Sequence, residues 1–142
     1  MDGPVEDKRN EERSLALKIV IVGNGKVGFS LAEQLVREKY DVVIVDMRED
    51  TLRRAADALD IMSVKGNGIS AATLIEAGVP EADLMVAATN SDEINMVCCL
   101  TAKHLGAKYT IARIRNPEYN AGLSDLKRNM GIDMVINPEN AT

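Results

Sequence analysis

The sequence predicts an α/β protein built on a doubly wound, parallel sheet of six strands in the order 3-2-1-4-5-6, folded as a single domain. Two observations predict this class. Short apolar runs alternate with helical segments along the chain, as they do where parallel strands are joined by right-handed crossovers. A glycine-rich turn, residues 23–28, stands directly between the first apolar run and the first helical segment. Such a turn is typical of the first strand–helix connection in sheets of this kind.

Each predicted strand is a short apolar run, and each predicted helix is a segment whose apolar side chains recur every three or four residues. The predicted strands are residues 17–22, 42–46, 61–65, 84–88, 109–113 and 134–137. The predicted helices are residues 27–38, 49–59, 70–77, 92–105 and 119–130. In the helix over 92–105 we expect most apolar side chains to face the sheet and any surplus to be available to a partner. These side chains are Ile94, Val97, Cys98, Leu100 and Leu105.

The two ends of the chain differ from the part between them. Residues 1–14 are polar and mixed in charge, so we expect a flexible tail or linker there and the domain over residues 15–142. Residues 136–140 are predicted to run from the sixth strand into the cap of another helix, which residues 141–142 barely begin. This pattern predicts a fragment of a longer protein.

Composition excludes several classes of protein. A chain of 142 residues with 46% hydrophobic residues can bury one full core. Its net charge of −5 argues against a nucleic-acid binder, and base stacking is disfavoured because Trp is absent and Phe29 is the single Phe. The sequence contains neither an apolar run of membrane-spanning length nor a signal peptide, which predicts a cytoplasmic protein without direct membrane insertion.

The cysteines and the histidine predict no metal site. Cys98 and Cys99 are adjacent and lack CxxC spacing, so they are expected to be buried free thiols. His104 is the single His of the chain and is expected to be a polar residue near a helix C-terminus.

Each glycine of the turn has its own predicted role. Gly23 allows the tight turn out of the first strand, and Gly25 leaves room for a pyrophosphate to approach the backbone. Gly28 allows the following helix to pack closely on the sheet. The unpaired N–H groups at the start of this helix point at the phosphates. The turn therefore predicts a nucleotide phosphate site.

Asp46 is the predicted ribose ligand. It ends the second apolar run, about 20 residues past the glycine turn, where an acid binds the ribose hydroxyls of an adenosine. A 2′-phosphate would repel this carboxylate, so the site should prefer NAD, ATP, ADP or AMP over NADP. Arg48, just past the acid, weakens this preference slightly. The alternative is a structural glycine turn with Asp46 as an ordinary strand-end cap.

Two later loops supply further candidates on the adenosine side. Asn67, between Gly66 and Gly68, has an amide that could reach the adenine or its ribose, or it simply belongs to a glycine-rich turn. Thr89 and Asn90 follow the fourth strand and could contact ribose or phosphate, while Ser91 or Asp92 caps the next helix.

Two basic residues are candidates for phosphate contacts. Arg113 could clamp a phosphate at the end of the fifth strand, with a surface ion-pair role as the alternative. Lys26 could neutralise phosphate in its own or a neighbouring subunit, or could be simply solvated.

The residues that catalysis would need are missing. The sequence contains no Ser/Tyr/Lys set, no catalytic His pair and no Walker lysine followed by Ser or Thr. We therefore predict binding without turnover. The alternatives are the cofactor domain of an NAD-dependent dehydrogenase and a structural module whose ligand site is vestigial.

Six blocks of sequence together resemble one known family, the TrkA N-terminal domain. This domain is the nucleotide-binding half of the RCK or KTN module that regulates potassium transporters and channels. The likeness covers nearly the whole chain after the tail, although the family often has an acidic residue where Asn67 stands. The blocks are residues 19–28, Val45-Asp46, residues 65–68, residues 87–95, residues 112–119 and residues 134–139.

The resemblance implies a Rossmann-type regulatory domain of potassium uptake. It implies that NAD(H) or ATP/ADP binds and changes the geometry of a homodimer or larger ring beneath a membrane-embedded potassium translocation subunit. The protein would then lie in the cytoplasm, at the inner face of the membrane. The predicted cofactor-binding residues are Gly23, Asn24, Gly25, Lys26, Val27, Gly28, Asp46, Met47, Arg48, Gly66, Asn67, Gly68, Ala88, Thr89, Asn90, Glu93 and Arg113.

Overall fold

Six apolar runs form the six strands of one sheet among residues 16–138, the part of the chain that the computed structural model describes. The strand order is β3-β2-β1-β4-β5-β6 and all five pairings are parallel, so the predicted fold class is confirmed. The predicted tail over 1–14 and the start of a further helix at 141–142 lie outside the described residues. The strands are Lys18–Val22 (β1), Asp41–Asp46 (β2), Met62–Lys65 (β3), Leu84–Ala87 (β4), Tyr109–Arg113 (β5) and Met134–Ile136 (β6).

Helices connect successive strands, as the alternating pattern predicts. A short 3-10 turn, Val79–Glu81, precedes β4 and was not predicted from the sequence. The helices are Lys26–Arg37 (α1), Glu49–Ala58 (α2), Ala71–Glu76 (α3), Asp92–Leu105 (α4), Pro117–Asn120 (α5) and Leu123–Met130 (α6).

The prediction of one helix over 119–130 is wrong, because two short helices occupy this segment. The first starts earlier, since the side chain of Asn116 accepts a hydrogen bond from Glu118 N at 2.9 Å and Pro117 fits the first helical position. Gly122 then interrupts the segment with non-helical backbone angles (φ −112°, ψ 29°). Glycine favours such a break because it is a poor helix former.

The core has two layers, one on each face of the sheet. Successive residues of a strand point to opposite faces, so Ile19 and Ile21 of β1 lie in one layer and Val20 and Val22 in the other. Helices α1 and α2 cover the first layer, and α3, α4 and α6 cover the second. Both faces are therefore buried, as expected for a parallel sheet.

Helix α4 buries its two cysteines, which are free thiols as predicted. Burial raises the pKa of both, that of Cys99 to about 12, so both thiols stay protonated and unreactive near neutral pH. The prediction that most apolar side chains of this helix face the sheet is only partly correct. Leu100 is half-buried, whereas Ile94 and Val97 are exposed.

Candidate nucleotide-binding site

The glycine turn leads from the end of β1 to the start of α1. Gly23 has a left-handed φ of +103°, and a Cβ built on it would lie 2.9 Å from Thr89 N, so this position requires glycine. A Cβ on Gly28 would lie 1.8 Å from the carbonyl oxygen of Gly23. Helix α1 thus packs against the turn itself. A Cβ on Gly25 would meet nothing within 4 Å, so the space beside Gly25 is open to an approaching group.

The carboxylate of Asp46 is fixed beside this turn. Its Oδ2 accepts a hydrogen bond from Asn24 N at 2.7 Å, and its Oδ1 accepts one from Arg48 N at 2.8 Å. A carboxylate can accept about four hydrogen bonds, so both oxygens retain capacity for further donors. The side chain of Arg48 is exposed, with its Nε 3.9 Å from Asp46 Oδ1. An oriented acid at the end of β2 is suited to binding a pair of hydroxyl groups.

A cavity of about 290 Å³ at the carboxyl ends of β1 to β4 includes eight of the predicted residues. In a doubly wound sheet this edge is where ligands bind. The cavity is lined by Val22, Gly23, Val45, Asp46, Met47, Arg48, Gly66, Asn67, Gly68, Thr89 and Ile94.

Two exposed apolar side chains line this cavity, and Ile94 was not predicted as a site residue. Met47 is 63% exposed and Ile94 is 39% exposed. Apolar side chains beside a polar carboxylate favour a ligand with a flat apolar ring next to its hydroxyl groups. Helical periodicity had assigned Ile94 to the core. Its place three residues after the cap Ser91, in the first turn of α4, was the signal for the site.

Other predicted residues lie around two neighbouring cavities. A cavity of about 510 Å³ on the α1–α2 side is lined by Asn24, Gly25, Lys26 and the cations Arg48 and Arg54 among others. A cavity of about 530 Å³ lies on the other side of α1. Its lining includes Lys26, Val27, Ser30, Gln34, Arg113 and Ile136. Lys26 is exposed and lines both cavities, beside the turn where a phosphate would lie.

The side chain of Asn24 forms a hydrogen bond within the protein. It is 7% exposed, and its Nδ2 donates to the carbonyl oxygen of Thr51 at 2.6 Å at the start of α2. With the backbone N–H bound to Asp46, this residue holds the turn, β2 and α2 together. The backbone N–H of Asn24 thus orients the carboxylate of Asp46.

The side chain of Asn67 closes a tight turn within the glycine-rich loop. Its Oδ1 accepts a hydrogen bond from Ile69 N at 3.1 Å. The flanking glycines are required by packing, because a Cβ on Gly66 would lie 2.5 Å from Thr73 Oγ1 and one on Gly68 would lie 2.3 Å from Val22 Cγ1. This loop forms the cavity wall by close backbone approach.

The predicted residues after β4 differ in exposure. Ala88 is buried, Thr89 is half-buried and Asn90 is exposed. Thr89 Oγ1 lies 2.6 Å from Asn95 Oδ1, so the hydroxyl faces the protein. Glu93 is also exposed, and its Oε2 accepts a hydrogen bond from the Tyr119 hydroxyl. This bond raises the pKa of Tyr119.

Arg113 is 6% exposed, so it is a buried residue and does not lie at the surface. Its Nη1 donates to Thr89 O at 3.2 Å and to Asn90 Oδ1 at 3.3 Å. The guanidinium therefore fixes the β4–α4 loop. The side chain of Arg113 also lines the cavity of about 530 Å³ beside α1.

Neither membrane spans nor metal clusters are found among residues 16–138. None of the helices in this range has the length and apolarity needed to cross a bilayer. Within the same range, no three His, Cys, Asp or Glu side chains are grouped so that they could hold a metal ion.

Comparison with known sequences finds relatives among potassium uptake proteins. The Trk system potassium uptake protein TrkA of Vibrio alginolyticus is 43% identical over 126 residues, which is 87% of this chain and 28% of the relative. A TrkA homolog of Methanothermobacter thermautotrophicus is 37% identical over 121 residues, which is 85% of this chain and 54% of the relative. The chain thus spans about half or less of the length of these relatives.

Solved structures share the fold. The TrkA-N domain of the inner membrane protein YbaL from Escherichia coli superposes with a TM-score of 0.76 at 17% identity, over 88% of this chain and 90% of that chain. The GsuK channel bound to NAD superposes with a TM-score of 0.72 at 22% identity, over 95% of this chain and 22% of that chain. GsuK bound to ADP superposes with a TM-score of 0.71 at 24% identity, over 86% of this chain and 31% of that chain.

A family model also matches most of the chain. The model of the TrkA-N domain matches residues 19–138, from the first buried residue of β1 to the last described residue. The match includes the glycine turn, Asp46 and the whole cavity wall. This chain therefore belongs to the TrkA-N domain family.

Proposed function

We propose that this chain is a regulatory domain that binds an adenine nucleotide, NAD(H) or ATP/ADP, in the cavity at the carboxyl ends of β1 to β4. The observation that carries the proposal is the carboxylate of Asp46, held by the backbone N–H groups of Asn24 and Arg48 beside an open glycine turn. In this arrangement the ribose hydroxyls donate to Asp46, and the adenine lies between Met47 and Ile94.

The phosphates lie beside Gly25, at the N-terminus of α1. The free backbone N–H groups and the positive end of the helix dipole favour anions there. Lys26 adds a positive charge, and the missing Cβ of Gly25 leaves room for close approach. A 2′-phosphate would lie against Asp46, so NADP is disfavoured.

Regulation of potassium transport is the biological role that we propose. It is supported by the names of the relatives, which are potassium uptake proteins, and by the family membership. In this role the domain assembles as a homodimer or larger ring in the cytoplasm, against a membrane-embedded translocation subunit. Nucleotide changes the ring only by binding one of its geometries more tightly than another. The role requires binding and no chemical turnover.

Isothermal titration of the chain with NAD, NADH, NADP, ATP, ADP and AMP tests nucleotide binding. We expect binding by at least one adenine nucleotide, with NADP weaker than NAD. Asp46→Ala should weaken that binding by about 10-fold to 100-fold, because hydrogen bonds to a charged group contribute about 1.5–3 kcal/mol. Asp41→Ala, at the opposite end of the same strand, is the matched control and should bind normally. Equal affinity of the wild type and Asp46→Ala would refute the proposed site.

A further inference from the structure

One fully buried side chain of α4, Asn95, uses its whole hydrogen-bonding capacity to connect the loop after β4 to the end of β5, where a second loop begins. Its Oδ1 accepts from Thr89 N at 2.9 Å and from Thr89 Oγ1 at 2.6 Å. Its Nδ2 donates to Thr89 O at 3.1 Å and to Arg113 O at 2.8 Å. An asparagine amide offers two acceptor sites and two donors, so all four are satisfied. Asn95 has 0% exposure, so water cannot replace any of these bonds.

The first loop belongs to the proposed nucleotide cavity. Thr89 lines that cavity, and its backbone packs so closely on the glycine turn that Gly23 has no space for a Cβ. Because Asn95 binds the N–H, the C=O and the hydroxyl of this one residue, it fixes the position of this part of the cavity wall.

The second loop is the segment after β5, from which α5 starts. Asp92, three residues before Asn95 on the same helix, accepts hydrogen bonds from Arg115 N at 3.0 Å and Asn116 N at 2.8 Å. Asn116 in turn caps α5. Arg115 also reaches back to donate to the carbonyl oxygen of Asn90. The first turn of α4 therefore joins the cavity wall to the cap of α5.

The arrangement links the positions of the two loops through hydrogen bonds to one helix turn. A ligand that displaces Thr89 must either break buried hydrogen bonds of Asn95 or shift the carbonyl of Arg113 with it. Breaking them is unfavourable, because a buried polar group without a partner is strongly destabilising. The shift of Arg113 then carries Arg115 and Asn116, which are bound to the same helix turn through Asp92.

We propose that Asn95 is a positioning residue, which holds Thr89 in the wall of the nucleotide cavity and transmits displacements of that wall to residues 113–116 and the start of α5. The inference rests on the proposed function for its ligand. The coupling of the two loops can be measured without any ligand.

Hydrogen exchange of the ligand-free chain tests the coupling. Asn95→Leu keeps a side chain of similar size and removes all four hydrogen bonds. We expect the amides of Thr89, Arg115 and Asn116 to exchange at least tenfold faster, while the amides of β2 keep their wild-type rates. The matched control is Thr101→Val in the same helix, since the Thr101 hydroxyl donates only within the helix, to Val97 O at 3.0 Å. The control should leave all these rates unchanged.

Wild-type exchange at Arg115 and Asn116 in folded Asn95→Leu would overturn the coupling. If Asn95→Leu does not fold, Thr89→Val tests the coupling instead. This variant removes one half-buried hydroxyl and keeps the two hydrogen bonds of Asn95 to the backbone of Thr89. It should speed exchange of the same amides a few-fold, and unchanged rates there would overturn the inference.

An NMR titration with ADP then tests transmission. In the wild type, ADP should shift the amide resonances of Thr89 and also those of Arg115 and Asn116. In Asn95→Leu, the affinity for ADP should fall about tenfold, and the shifts at Arg115 and Asn116 should disappear at saturation. Thr101→Val should keep the wild-type affinity and the wild-type shifts. Persistence of the remote shifts in Asn95→Leu would refute transmission. Failure of the wild type to bind any of NAD, NADH, ATP and ADP would refute the proposed function, and the exchange rates would still decide the coupling.

Discussion

Gly25 and Gly28 lie three residues apart in the same turn, yet glycine is needed for opposite reasons. A Cβ on Gly28 would collide with the carbonyl oxygen of Gly23, 1.8 Å away, whereas a Cβ on Gly25 would point into empty space. The fold therefore requires glycine at position 28, and the proposed ligand requires it at position 25. The two roles can be separated by experiment.

Gly28→Ala should destabilise the protein, and Gly25→Ala should weaken nucleotide binding. Overpacking against backbone costs about 1–3 kcal/mol or more, so the unfolding free energy of Gly28→Ala should fall by at least that amount. Gly25→Ala should change stability by about 1 kcal/mol or less, because it lies at the N-cap of α1 with an ordinary φ of −83°. Its affinity for nucleotide should fall at least tenfold. Urea denaturation and calorimetric titration measure the two effects, and wild-type affinity in Gly25→Ala would contradict the proposed phosphate position.

At the residue level, the sequence predicted the backbone role of Gly23 in the turn and did not predict the directions of the polar side chains. The left-handed Gly23 followed from the turn pattern. Asn24 and Thr89 stay predicted ligand contacts, and the structure adds that both side chains also form hydrogen bonds within the protein. A sequence identifies a polar residue near a site, whereas the direction of its side chain depends on which neighbour lies within hydrogen-bonding distance.

At the scale of secondary structure, Asp83 joins three strands at their amino ends, opposite the candidate site. Its carboxylate, just before β4, accepts a hydrogen bond from Lys18 N of β1 at 2.8 Å. It also lies 3.2 Å from Lys108 Nζ, just before β5. The Lys18 hydrogen bond, followed by the contact with Lys108, holds the pKa of Asp83 below its usual range.

Asp83→Asn should therefore change how stability depends on pH. A lowered folded-state pKa gives stability that is present above the unfolded-state pKa of about 3.9 and is lost as the pH falls through the lower folded-state value. The wild type should be more stable than Asp83→Asn at pH 6, and the difference should shrink as the pH falls below about 4. Urea denaturation at a series of pH values measures this difference. Asp57→Asn, at an exposed position of α2, is the control, and a pH-independent difference for Asp83→Asn would contradict the assignment.

Element types were predictable because each has a simple pattern, and the errors have local causes. All six strands agree with the apolar runs to within one residue at each end. The helix over 119–130 was wrong because periodicity does not register the backbone break at Gly122. Ile94 follows the helical period, yet it faces the cavity because the first turn of α4 extends past the end of β4.

At the scale of the whole molecule, topology determines where the proposed ligand site lies. A parallel sheet brings the carboxyl ends of all its strands to one edge, so the turns after β1, β2, β3 and β4 meet in one cavity. Strand order could therefore be predicted from the sequence, and the location of the site is a prediction that follows from that order. The buried connection through Asn95 could not, because it depends on the relative positions of α4, Thr89 and Arg113 in three dimensions.

A crystal structure of the chain grown with ADP tests where the nucleotide binds. We predict that the ribose hydroxyls lie within hydrogen-bonding distance of Asp46, the adenine between Met47 and Ile94, and the phosphates beside Gly25. Crystals grown with NAD should place the adenosine half identically. ADP bound instead among Lys26, Arg48 and Arg54 between α1 and α2, or neither ADP nor NAD at the carboxyl edge of the sheet, would contradict the proposed site.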